Sequence, residues 1–172
     1  MIEWGKGMQD LEKKLILKII SATLIVFLTS CGPSKEPVPS ETTIKAFSQV
    51  LQENDKVIES IIKDGEKVPD LTALLTVVEN GKSVVVESGL KRALEEESRI
   101  LQDASKKGKE EFYEAYSRFA EHLSVSMTTG GVKLEEYNRF YCPMESKYWL
   151  AKGTEILNPF APEMRDCGEI KN

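Results

Sequence analysis

Four sulfur-bearing residues stand near the end of this 172-residue chain: Cys142, Met144, Met164 and Cys167. In an extended segment, residues two apart leave the backbone on one face, so Cys142 and Met144 are expected to project together. On a single helical turn, residues three apart share a face, which sets Met164 beside Cys167. If the chain folds one pair onto the other, four sulfurs converge. Thiolate and thioether are soft donors that suit Cu(I) or a similar ion better than Mg²⁺ or Ca²⁺. A zinc site would need more thiolate or imidazole than these residues offer. The same two cysteines equally suit a disulfide in an oxidising compartment, worth ~3 to 4 kcal/mol by loop closure. Inert packed thiols are the third outcome the spacing allows.

Other candidate chemistry is sparse. His122, the one histidine, falls at the border of an apolar helical stripe, where a lone imidazole ordinarily packs half-buried; it joins the sulfurs only if the tail reaches it. Ser117 and His122 are five positions apart on one helix and point in different directions, so they form no nucleophile–base pair. Gly81-Lys82 lacks the rest of a phosphate-cradling loop. The run Glu95-Glu96-Glu97 reads as a solvated helix face. No enzyme is expected. The net charge of -5 leaves no basic footprint, which argues against a nucleic-acid partner.

The compartment is written at the other end. Lys13, Lys14 and Lys18 precede the apolar run "IISATLIVFL", and "LTSC" follows. A basic stretch, a short apolar core and a small-residue cleavage site describe an export signal, and roughly ten apolar residues are too few to span a bilayer. "LTSC" resembles the bacterial lipobox, which implies cleavage before Cys31 and acylation of that residue. Several acyl chains hold a protein on a membrane without a spanning helix, at about 0.8 kcal/mol per buried methylene. Removing residues 1–30 takes four lysines and three acids from the 23 basic and 28 acidic side chains, leaving a net charge of about -6. Lipid, and not charge, must then anchor the chain. Residues 31–41, with "GPSKEPVPS", read as a proline-rich tether reaching roughly 25 Å.

The elements that must position the sulfurs occupy the rest. Residues 42–131 read as an antiparallel bundle of about four amphipathic helices, making the protein mainly α. The first covers 42–63 with Ile44, Phe47, Leu51, Ile58, Ile61 and Ile62 at helical intervals, and Asp64-Gly65 ends it. Pro69-Asp70 opens a short second helix at "LTALLTVV", which Asn80-Gly81 is expected to close. The third spans about 85–107 and is broken by Gly108, although "SVVVES" could instead form a strand. The fourth runs from 110 to about 127. Residues 132–172 form a cap within the same domain, where prolines at 143, 159 and 162 forbid a long helix. "RFYC", "KYWLA" and "GEI" are each expected to be short extended pieces, and the cap is expected to fold over one end of the bundle. Its aromatic residues, nearly half of those in the chain, read as core.

The cap also carries a family resemblance. Tyr141-Cys142-Pro143-Met144, Trp149-Leu150, Ile156, Asn158-Pro159-Phe160, Met164 and Cys167-Gly168 resemble domain of unknown function 3347, with Tyr113 and Ser117 matching an upstream helix. Members occur as small exported proteins and lipoproteins, and fused to adaptor subunits of heavy-metal efflux pumps. The resemblance implies copper or silver handling, with Cys142, Met144, Met164 and Cys167 as ligands and efflux components as partners. This chain departs from the pattern at Ala161-Pro162 and at Arg165, and its third helix has no Met or His. Two functions from different classes therefore stand side by side. One is an envelope lipoprotein that buffers or passes on Cu(I). The other is a structural or interaction lipoprotein whose cap is closed by Cys142–Cys167. A bundle that takes a hydrophobic ligand is a third.

Overall fold

A computed structural model describes residues 38–133 and 135–171, so the expected signal segment, the expected lipidation site Cys31 and most of the expected tether lie outside the described residues. Four helices are followed by a small antiparallel sheet. Helix α1 covers Glu41–Lys63, α2 Thr72–Val84, α3 Ser88–Ala104 and α4 Lys109–Thr129. Strand β1 spans Tyr137–Cys142 and β2 Lys147–Lys152; a 3-10 turn at Pro162–Met164 then leads to β3, Glu169–Ile170. The protein is mainly α, and the three extended pieces of the cap are strands.

Local chemistry explains the helix ends. Ser40 caps α1, its hydroxyl accepting the Thr43 N–H at 3.2 Å. Asp70 accepts the Thr72 N–H at 2.9 Å and so opens α2. Glu110 and Glu111 lie in the first turn of α4, where carboxylates complement the helix dipole.

Two helix boundaries differ from those expected. Helix α2 does not stop at Asn80-Gly81 but runs on to Val84. A Cβ on Gly81 would come within 3.0 Å of Leu94 Cδ1, so this glycine admits the neighbouring helix α3 and does not break its own. Helix α3 starts later than expected, at Ser88, because residues 85–87 are an extended link with Val85 buried. The valine run joins no strand.

The helices pack in chain order, α1 on α2, α2 on α3 and α3 on α4, while β2 packs on both α4 and α1. The strand order is β2-β1-β3, which leaves β2 at an edge. That edge meets helix side chains. The Tyr148 N–H donates to Ser117 Oγ at 2.7 Å, and the Leu150 carbonyl accepts from Asn54 Nδ2 at 3.0 Å. Asn54 Oδ1 in turn accepts from the buried Tyr116 hydroxyl at 2.9 Å. Side chains from α1 and α4 therefore stand where another strand would, which satisfies backbone groups and closes the edge. Asn54 and Ser117 sit at mid-helix, so the cap lies along the flank of the bundle and not over an end.

The core is continuous across helices and sheet. Phe112, Tyr116 and Phe119 form a ladder along α4 with ring centroids 5.5 and 5.4 Å apart. Phe140 and Trp149 face each other across β1 and β2 and stack at 5.3 Å. Both are fully buried in the same cluster as the α4 ladder. Of the cap's aromatics, Phe140, Trp149 and Phe160 are core and Tyr137 packs against it. Tyr141 and Tyr148 instead pair half-exposed on the other face of the hairpin, so the expectation that all of them are core holds only in part.

Candidate functional site

The end of β1 and the start of β3 bring the two cysteines together. Phe140 pairs with Ile170 and Tyr141 with Glu169, so the next residue, Cys142, lies beside the chain just before β3. Cys142 and Cys167 are joined in a disulfide with Cα atoms 5.5 Å apart, the usual span of such a bond. Cys142 is fully buried and Cys167 partly exposed.

The approach to Cys167 is held tightly. Asn158 is completely buried; its N–H donates to the Arg165 carbonyl at 2.8 Å, and its Oδ1 accepts the Phe160 N–H at 2.9 Å. Arg165 donates to the Asn158 carbonyl at 2.5 Å and to the Ile62 carbonyl at 3.3 Å, fastening this loop to the end of α1. Gly168 lies against Trp149, where a Cβ would come within 2.6 Å of the indole Cη2. Strand pairing, the Asn158–Arg165 brace and the missing Cβ at 168 together fix the position of Cys167.

The methionines take different places. Met144 lies in the turn 143–146 between β1 and β2 and is 71% exposed. It does not share a face with buried Cys142, because the strand ends at Cys142 and alternation ends with it. Met164 closes the 3-10 turn, half-buried, and its carbonyl accepts the Cys167 N–H at 3.0 Å. As bonded, Cys142 and Cys167 offer no thiolate. The soft-donor set named from spacing is then reduced to two thioethers. Among the described residues, no group of three or more His, Cys, Asp or Glu is arranged to hold a metal ion.

His122 stands apart from the sulfurs, on α4 against α3. Its Nδ1 is 2.6 Å from Glu97 Oε1, while Glu97 Oε2 is buried without a hydrogen-bond partner. Glu97 is 0% exposed. Burial pushes its carboxyl up to about 7, and the bond to Glu97 raises the imidazole above its ordinary value. Reading Glu97 as solvated was wrong. It lies three after Leu94, four after Ala93 and four before Leu101, all buried, so it falls on the inner stripe of α3 while Glu95 faces out. The spacing held that signal, but the run of three like residues obscured it.

Ser117, also far from His122 in role, is buried and engaged by the Tyr148 N–H. It is an anchor for β2. Asn54 is another buried polar anchor that sequence reasoning missed; it stands among Val50, Leu51, Val57 and Ile58 on the inner face of α1.

No protein-family model, curated protein or solved structure matches the chain. The reading of the site therefore rests on its own geometry.

Proposed function

We propose that this protein is an exported, lipid-anchored envelope protein whose folded part is a non-catalytic interaction module, with its cap locked by Cys142–Cys167. The observation that carries the reading is the disulfide itself. A buried half-cystine between two strands of a cap braced by Asn158 and Arg165 suits permanent crosslinking in an oxidising compartment. Export and acylation of Cys31 supply that compartment and a bacterial membrane as the first partner, and the lipobox and basic leader support this. The mild negative charge makes nucleic acid an unsuitable partner.

The copper-buffer reading, with efflux components as partners, draws on the family resemblance of the tail and needs both cysteines as thiolates. It thus belongs to a reduced form. One pair of titrations separates the two. Full-length protein is titrated with Cu(I) against a competing chelator, once as isolated and once after reduction. The interaction module has no competitive Cu(I) site as isolated, and any affinity gained on reduction is independent of Met144 and Met164. A site in the isolated protein that Met144→Leu, Met164→Leu weakens would overturn the module and restore the metal reading.

A further inference from the structure

Exposed apolar side chains gather where the chain enters the fold. Val38 is 90% and Val86 78% exposed, and Val84 and Ile44 are also open to solvent. All four belong to one end of the bundle. Helix α1 starts there, α2 ends there, and α3 starts there. Glu87 ties these pieces together: its carboxylate accepts the Ser40 N–H at 2.7 Å and the Thr43 hydroxyl at 2.5 Å. Those bonds hold the Glu87 carboxyl down at about 2, so the clamp stays charged at any physiological pH. The valines flank a fixed joint: Val86 precedes Glu87 directly, and Val38 lies two residues before the capping Ser40.

Single exposed valines are ordinary, but several at one end of a bundle mark a contact surface. The chain outside the described residues says which. Only six residues separate Cys31 from Val38, three of them proline or glycine, so a lipid on Cys31 holds this end within roughly 25 Å of the bilayer. No other part of the fold is tethered so closely.

We infer that this end of the bundle, presenting Val38, Ile44, Val84 and Val86, rests on the phospholipid surface into which the acyl chains of Cys31 insert. The inference rests on the lipid-anchored reading above. The bundle then stands on its α1-start, α2-end face, and the opposite end at residues 64–71 and 105–108 projects away from the membrane. The valines add apolar contact to an anchor that the acidic surface cannot supplement.

The test uses full-length lipidated protein in phosphatidylethanolamine–phosphatidylglycerol vesicles, with an environment-sensitive fluorophore on Val86→Cys or, at the far end, on Lys106→Cys. Mass spectrometry of the N-terminal peptide first establishes acylation. The expected result is a blue shift at 86 and loss of its intensity to a bilayer-embedded quencher, with neither at 106. A Val38→Ser, Val84→Ser change, whose helical circular dichroism is checked first, should reduce the quenching at 86. Equal behaviour at 86 and 106 in acylated protein overturns the inference while leaving the anchor intact. A peptide without lipid overturns both, and the mass distinguishes the two failures. Shielding of 86 in native membranes but not in pure lipid assigns this end to a protein partner and likewise overturns it.

Discussion

His122 Nδ1 and Glu97 Oε1 are 2.6 Å apart, joining α4 to α3 through a carboxylate that has no contact with solvent. Around His122 stand Glu96, Arg99 and Asp103 of α3 and Arg118 and Glu121 of α4, while Glu79 of α2 accepts from Ser98, the residue after Glu97. Both members of the pair are raised in the fold, so the folded chain holds more protons than the unfolded one. The stability this gives is complete below the unfolded carboxyl value of 4.5 and declines as pH rises through about 7. His122, also raised, adds loss in the same direction above its unfolded value of 6.5. We expect wild-type unfolding free energy to fall by about 2 to 3 kcal/mol between pH 5 and 8, and Glu97→Gln to flatten most of that slope. Urea titrations of both proteins across this range check it; parallel slopes would contradict the burial argument.

Asn54 links three elements, and its loss should be felt in all of them. Asn54→Leu leaves the Tyr116 hydroxyl and the Leu150 carbonyl unpaired in the interior, each costing about 1 to 3 kcal/mol. The variant should also loosen the edge of β2, so amide exchange at residues 147–152 should quicken more than exchange in α2. Denaturant unfolding and hydrogen exchange measure the two effects separately.

Gly168 is a packing residue. Gly168→Ala drives a methyl into the Trp149 ring and the Ile156 side chain, an overpacking that costs about 1 to 3 kcal/mol. Gly89→Ala, in α3 with nothing within 4 Å, should instead stabilise by about 0.5 to 1 kcal/mol. Only the first should change the emission of Trp149, the one tryptophan among the described residues.

Much of the architecture was legible because apolar periodicity and strand chemistry are local. The helical intervals of Phe47, Leu51 and Ile58 placed α1, and "RFYC" and "KYWLA" foretold β1 and β2. What escaped depended on neighbours. Gly81 looked like a stop because nothing in its own segment reveals Leu94 packed against it. Met144 looked like a partner of Cys142 because the turn that starts at 143 is set by the hairpin, where Ser146 takes a positive φ of 54°. The pairing of Cys142 with Cys167 was one of three outcomes consistent with spacing. Pairing of β1 with β3 brings them together, and that contact joins residues about thirty positions apart.

Loss of the crosslink should be costly without dissolving the bundle. A Cys142→Ser, Cys167→Ser variant should lose ~3 to 4 kcal/mol, the loop-closure value for a link spanning 25 residues. Its circular dichroism should retain the helical signal, since α1 to α4 pack on one another independently of the bond. Calorimetry alongside the spectrum checks both points.

The most direct measurement is intact mass after alkylation of full-length protein extracted from membranes, with and without prior reduction. Stapling predicts that Cys142 and Cys167 take up no alkyl group until a reductant is added and two afterwards. Two alkyl groups gained without reductant, or uptake blocked only while a soft metal is bound, would contradict a permanently locked cap.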